Sequence, residues 1–205
     1  MAAIAVQYGS RAKFCDTITK AKDPKSAYAE IGLDLFRGFG MTTLEDTAQG
    51  NLSENPKDYT DGGMRQWLYQ SCTEFGYWQV AYHDPRYSSR SSRIDLRFHD
   101  GICSRMFGID REVDPTFINR TYYRPILDGK ISKTFFTNGS DDPWQNLAIN
   151  PARRNVPKTA DAMLIQGASH CSDLGNGSSP NVVSAQNKFR SLVQKWLGAK
   201  GYRWH

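Results

Sequence analysis

Apolar residues recur along this chain in changing rhythms, and each rhythm predicts a different element. Residues 1–22 open on an apolar stretch that breaks at Tyr8-Gly9-Ser10. Asp23-Pro24 then pairs an N-cap residue with proline at the first helical position. Ala27, Ile31 and Leu35 follow at every fourth position, so a helix with one apolar face is expected, stopped by Gly38-Phe39-Gly40. From Thr42 to Gly63 the chain turns polar, acidic and glycine-rich, which reads as a long connection. Residues 64–82 are the most aromatic stretch, holding Trp67, Tyr69, Phe75, Tyr77, Trp78 and Tyr82 at a spacing that fits neither helix nor strand.

The last third is more regular. Lys133-Thr-Phe-Phe-Thr137 is a short β-prone run that ends abruptly in Asn138-Gly-Ser-Asp-Asp-Pro-Trp144. Ala162-Met-Leu-Ile165 is a second apolar run, ending in Gln166-Gly-Ala-Ser-His170. Val182, Ala185, Phe189, Leu192, Val193 and Trp196 then fall at helical spacing. Strand, loop, strand, loop, helix is the grammar of an α/β sheet.

Composition narrows the class. With 205 residues the chain makes one domain of ordinary size or two small ones. A hydrophobic share of 39% with 12% aromatics excludes a disordered chain. No apolar run approaches the roughly 20 residues of a membrane span. The net charge is +5, and its densest cluster is Arg86, Arg90, Arg93 and Arg97 in a serine-rich stretch beside Asp84, Asp95 and Asp100. A solvated loop is the plain reading, and an anion-binding or RNA-contacting arm is the alternative. The four cysteines (Cys15, Cys72, Cys103, Cys171) show neither CxxC pairing nor histidine spacing suited to zinc, and allow three disulfide pairings. Asn-x-Ser/Thr triplets stand at Asn51, Asn119, Asn138 and Asn176, yet no secretory leader is visible. The chain is therefore expected to be either cytosolic or a piece of something longer.

Two positions carry candidate chemistry. In α/β sheets, functional side chains sit just beyond the carboxyl ends of strands. One such end presents Asp142 and the next presents His170, in the order acid before histidine of an α/β-hydrolase triad. Such a carboxylate fixes the imidazole tautomer and stabilises the imidazolium formed when the ring takes a nucleophile's proton. Gly139 and Pro143 are expected to shape the turn that aims Asp142, and Gly167 to clear space at the histidine strand. A lone Asp and a lone His on loops are as readily plain surface residues. Glu74, set among many rings, is expected to be paired or used if it is buried.

The wording of three segments adds to this pattern. Asn138-Gly-Ser-Asp-Asp-Pro-Trp144 resembles the acid loop of the prolyl carboxypeptidase and dipeptidyl peptidase II family of serine peptidases. Gly167-Ala-Ser-His-Cys-Ser-Asp-Leu174 resembles its histidine loop, and Trp67-Leu-Tyr-Gln-Ser-Cys-Thr-Glu-Phe-Gly76 its Cys-Thr-Glu block. The His-Cys pair and the Cys-Thr-Glu-Phe-Gly wording lean toward the thymus-specific serine protease branch. The three motifs stand in family order across residues 64–175, and residues 1–22 fit loosely.

The resemblance implies an α/β-hydrolase domain carrying an inserted, mostly helical cap. Residues 1–114 would be part of that cap, and residues 115–205 the C-terminal part of the hydrolase domain. Asp142 would be the triad acid and His170 the general base. Trp144, Trp67 and Glu74 would bind substrate, with Glu74 equally readable as structural. Cys72 and Cys103 would form a cap disulfide, leaving Cys15 and Cys171 without an assignable partner. The family's dipeptidyl branch holds its substrate amine with an acid at the position of Leu68, so aminodipeptidase specificity is not expected.

The sequence also departs from the pattern, since it contains no Gly-x-Ser-x-Gly. Ser10, Ser140 and Ser178 follow glycines but lack the second one. The implied function is a serine-type exopeptidase, cleaving after proline or small residues, whose nucleophile lies outside this chain. The alternative is an inactive fragment or remnant acting as a binding or assembly module. Expected partners are a peptide substrate, the nucleophile-bearing N-terminal half and, for assembly, a second copy of the chain. Nucleic acid, membrane, metal and organic cofactor are not expected. The family implies the secretory route, to a lysosome-like compartment or the cell exterior. Glycosylation at Asn138 would obstruct the site.

Overall fold

The computed structural model describes residues 2–38, 52–55, 57–58, 63–88, 90–177 and 179–198. Phe39 and Gly40 of the expected helix stop, most of the connection expected over 42–63, Asn51 and Ser178 lie outside them. The chain divides into two compact units: residues 17–121 with the extreme N-terminus, and residues 3–16 with 122–205. The division falls inside α2 (Arg11–Lys20), which follows α1 (Ala2–Gln7) across Gly9, a residue at φ 79°.

The regular elements described in the first unit are all helical. α3 (Pro24–Gly38) begins where the sequence predicts, with the Asp23 carboxylate accepting the Lys25 N–H at 3.0 Å and the Ser26 hydroxyl at 2.6 Å. Those bonds hold the Asp23 carboxyl below its ordinary range. Its apolar face buries Ala27. The aromatic stretch resolves into α4 (Met64–Gln70), a wider π-type turn over Ser71–Phe75, and irregular extended chain. α5 (Leu96–Phe107) is capped by Asp95, which accepts the Phe98 N–H at 2.9 Å, and ends at Gly108 in the left-handed region. Leu68, Cys72, Ile102 and Cys103 are buried, and Cys72 is disulfide-bonded to Cys103 across 31 residues.

The aromatic stretch is not one buried cluster: Trp67, Tyr69 and Tyr82 are all more than half exposed. Glu74 is exposed as well, its carboxylate 3.5 Å from the Gln70 amide, so no buried charge needs a partner. Two members of the basic cluster are tied locally, and Arg93 and Arg97 are exposed. Arg86 forks onto Asp84 with contacts of 2.6–3.2 Å, which lowers the Asp84 carboxyl and raises the guanidinium. Arg90 donates to Gln79 at 2.8 Å. A short helical run, α6 (Thr116–Ile118), a π-type stretch (Asn119–Tyr123) and α7 (Arg124–Leu127), carries the chain onward.

The second unit holds the strands. β1 (Phe135–Gly139) and β2 (Asp161–Ile165) pair in parallel, with Phe135 opposite Asp161 and Gly139 opposite Ile165. Period-two alternation puts Phe135, Thr137 and Gly139 on one face with Met163 and Ile165. α8 (Pro180–Leu197) covers that face, burying Val182 and Ala185 against Ile165, Ala168 and Met163. Burying an aliphatic side chain such as Ile165 or Val182 contributes about 1.5–3 kcal/mol. Phe189 of α8 stacks on Phe135 with ring centres 6.4 Å apart, and Lys188 lies over the same ring. The helix starts by rule: Ser179 accepts the Val182 N–H at 3.3 Å, and Pro180 takes the first position. Parallel strands with a returning helix are the expected α/β grammar.

Candidate active site

Both strands of the pair end on the same side, because they run parallel, and each delivers a loop there. The acid loop turns at once: the Asp142 N–H bonds the Gly139 carbonyl at 3.2 Å. Asp142 then caps a short 3-10 turn, Pro143–Asn146, its Oδ1 accepting the Trp144 N–H at 3.0 Å with proline at the first position. One oxygen thus fixes the carboxylate, and Oδ2 is left for another partner. That partner is His170, whose Nδ1 lies 2.7 Å away. Twenty-eight residues apart in sequence, the two side chains meet. Asp142 is 12% exposed at its side chain and His170 34%, so the acid is sequestered while the imidazole keeps an open side. Since a carboxylate oxygen only accepts, Nδ1 donates and Nε2 is the nitrogen left to take a proton.

The loops are fastened to each other by backbone. Gly139 lies so close to the histidine loop that a Cβ on it would stand 2.3 Å from the Ala168 carbonyl oxygen. The Asp141 N–H donates to that same Ala168 carbonyl at 3.0 Å, and Ser140 Oγ accepts the Gly167 N–H at 2.8 Å. Gly139 is therefore required for close approach as well as for the turn. At Gly167 the reason differs from the expected one. Nothing lies within 4 Å of where its Cβ would be, so glycine clears no space there and instead serves a φ of 70°.

Trp144 is half-buried in the acid loop, and its contribution to Asp142 comes from its backbone. Trp67 and Glu74 belong to the other unit, where both are exposed. Leu68 is buried there. Asn138 donates its side-chain amide to the Ile149 carbonyl at 2.8 Å, so a glycan on that nitrogen conflicts with the fold. Cys171 is exposed, at φ 56°, and its thiol is pushed up by desolvation first and then by the charges of Asp173 and Asp142.

Sequence reasoning missed the N-terminal contributors. His170 donates its backbone N–H to the Gln7 carbonyl at 2.8 Å, Tyr8 stands edge-on to the imidazole at 6.1 Å, and Arg11 pairs with Asp141 at 2.9 Å. These partners are 130 residues or more from the motifs, beyond any local pattern.

A parallel strand pair that brings an acid and a histidine together in hydrolase order defines the class. A model of the family described as serine carboxypeptidase S28 matches residues 2–191, and the chain belongs to that family. The family's fold is the α/β hydrolase, and the parallel pair packed under α8 is consistent with part of such a domain. Among curated relatives, the chain is 32% identical over 198 residues to the probable serine protease EDA2 of Arabidopsis thaliana, covering 93% of this chain and 39% of the relative. It is 30% identical over 162 residues to the thymus-specific serine protease of Mus musculus (77% and 30% covered). For the protein of the same name from Homo sapiens the figures are 34% over 146 residues (66% and 26% covered). The chain thus spans between a quarter and two-fifths of the length of these relatives.

Proposed function

We propose that this chain supplies the acid and the general base of a serine-type exopeptidase, with the nucleophilic serine provided by sequence outside these 205 residues. The observation that carries the reading is the 2.7 Å contact between Asp142 Oδ2 and His170 Nδ1, with Oδ1 already fixed by the Trp144 N–H.

The chemistry runs as follows. His170 Nε2 takes the serine Oγ proton as Oγ attacks the scissile carbonyl. Asp142 stabilises the imidazolium so formed and does not itself take the proton. The imidazolium then gives that proton to the leaving amine, the C–N bond breaks, and an acyl-enzyme is left. Water, deprotonated by the same nitrogen, releases the acid and restores the serine. We assign the helical unit, residues 17–121, to the cap expected over 1–114, and residues 3–16 with 122–205 to the hydrolase domain expected over 115–205. Trp144, Trp67 and Glu74 are read as substrate-binding residues, for a substrate with proline or a small residue before the cleaved bond. A buried, apolar Leu68 offers no carboxylate for a substrate amine. The disulfide and the exposed Asn176 site suit the secretory route. Among the described residues no helix is long and apolar enough to cross a membrane.

The test joins this chain to the portion of the Arabidopsis relative that it does not cover and assays proline-containing peptides. Hydrolysis is expected, falling by roughly 10³-fold or more with His170→Ala and with Asp142→Asn. Activity indifferent to His170→Ala would sink the assignment. Hydrolysis by the 205-residue chain alone, lost with His170→Ala, would overturn the external nucleophile. A joined protein that binds peptide without cleaving it would favour the binding-module reading, for which the missing Gly-x-Ser-x-Gly speaks.

A further inference from the structure

We propose that residues 7–11 act as a strap that sets the geometry of the Asp142–His170 pair, with Arg11 as its positioning residue. The strap touches each loop through a directed polar contact. At one end the Gln7 carbonyl accepts the His170 N–H at 2.8 Å. At the other, Arg11 Nη1 meets Asp141 Oδ1 at 2.9 Å. Between them Gly9, at φ 79°, runs against Ser169, where an added Cβ would stand 3.1 Å from its hydroxyl oxygen. The Tyr8 ring meets the imidazole edge-on. Residues 169 and 170 of one loop and 141 of the other are thereby referred to one five-residue segment.

The Arg11–Asp141 contact does more than close the strap. Asp141 is only 12% exposed at its side chain and adjoins Asp142, so two carboxylates crowd one loop. Unpaired, the Asp141 carboxylate would draw on the same donors that hold Asp142, or swing outward to water and carry the loop with it. Arg11, itself 57% exposed, gives that charge a partner other than the donors that hold Asp142. With Arg11 open to water, the ion pair itself contributes little to stability. Its effect is on angle and distance, to which a hydrogen bond between a ring nitrogen and a carboxylate is steep.

This inference deepens the proposed function and rests on its dyad, but its test needs no hydrolysis. The readout is the far-downfield NMR resonance of the His170 Nδ1 proton in the 205-residue chain, assigned by its loss in His170→Gln. It is expected in the parent, lost or exchange-broadened in Arg11→Ala, retained in Arg11→Lys, and restored when Arg11→Asp is combined with Asp141→Arg. Far-UV circular dichroism checks that each variant is folded. If folded Arg11→Ala keeps the parent resonance, or the swapped pair fails to restore it, Arg11 is not a positioning residue. Because the swap restores the ion pair with the loop intact, mere loss of fold in Arg11→Ala cannot pass for support. Failure of the peptidase reading would show instead as absent hydrolysis in the joined protein with this resonance unchanged.

Discussion

The two units of this chain are fastened by different means. The helical unit carries a covalent tie, Cys72–Cys103, between its buried α4 and α5 regions. The strand unit relies on hydrogen bonds between two loops, from Asp141 to Ala168 and from Gly167 to Ser140, around a pair of titratable side chains. The disulfide limits the unfolded chain and tolerates loose surroundings. Hydrogen bonds fix directions, and a proton-relaying pair needs directions more than it needs total stability. Strength went where shape is undemanding, and geometry where chemistry is.

The largest effect expected is on the covalent side. Replacing both Cys72 and Cys103 by serine should lower stability by about 3–4 kcal/mol, the entropy of a loop spanning 31 residues. Urea denaturation followed by circular dichroism measures it. A change below about 1 kcal/mol would remove the disulfide as the main fastening of that unit.

Next comes the close approach of the two loops. Gly139→Ala places a methyl group 2.3 Å from the Ala168 carbonyl oxygen, and backbone cannot yield there as a flexible side chain would. The loops must part, at about 1–3 kcal/mol. The downfield His170 proton should vanish even in preparations that remain folded. An unchanged resonance would mean that the pair is held without the Gly139 crossing.

Legibility from sequence follows the range of the interaction. The two strands, the last helix, and the Asp23-Pro24 start were readable because apolar period and caps act within a few residues. That Asp142 and His170 meet was readable because each follows a strand and the strand, loop, strand, loop, helix order points to an α/β sheet. Glu74 was misread as lodged among rings, since nothing local tells which way a ring faces in irregular chain. Gly167 was misread as a space-filler's absence, because sequence shows the glycine and not its φ. Arg11 left no trace at all: an ion pair across 130 residues exists only after the chain has folded.

A smaller effect is expected at α8, whose start depends on one cap. Ser179→Ala removes the acceptor for the Val182 N–H and should lower stability by about 1 kcal/mol, read by urea denaturation. The dyad resonance should persist, since the cap bond runs from Val182 to Ser179 within the first turn of α8. Its loss would show that α8 packing also sets the dyad.

The smallest expected effect concerns pH and belongs to the helical unit. His99 stacks face to face on Trp78 with ring centres 4.6 Å apart and an interplanar angle of 4°. Burial pushes its imidazole below the ordinary value of 6.5, with Arg90 adding to the fall and the backbone contact to Gln79, Asp100 and Asp95 opposing it. The sign follows from proton binding. As pH drops through 6.5, the unfolded chain takes up a proton that the folded chain still refuses, so the unfolded state gains and stability declines. The penalty levels off only below the depressed folded value, and partial exposure of the ring keeps it modest. His99→Phe keeps the stack on Trp78 and removes the proton site. Thermal unfolding from pH 7.5 to 5 should therefore fall less steeply in His99→Phe than in the parent. Equal slopes would assign the acid sensitivity elsewhere, and a steeper slope in His99→Phe would reverse the inferred direction of the shift.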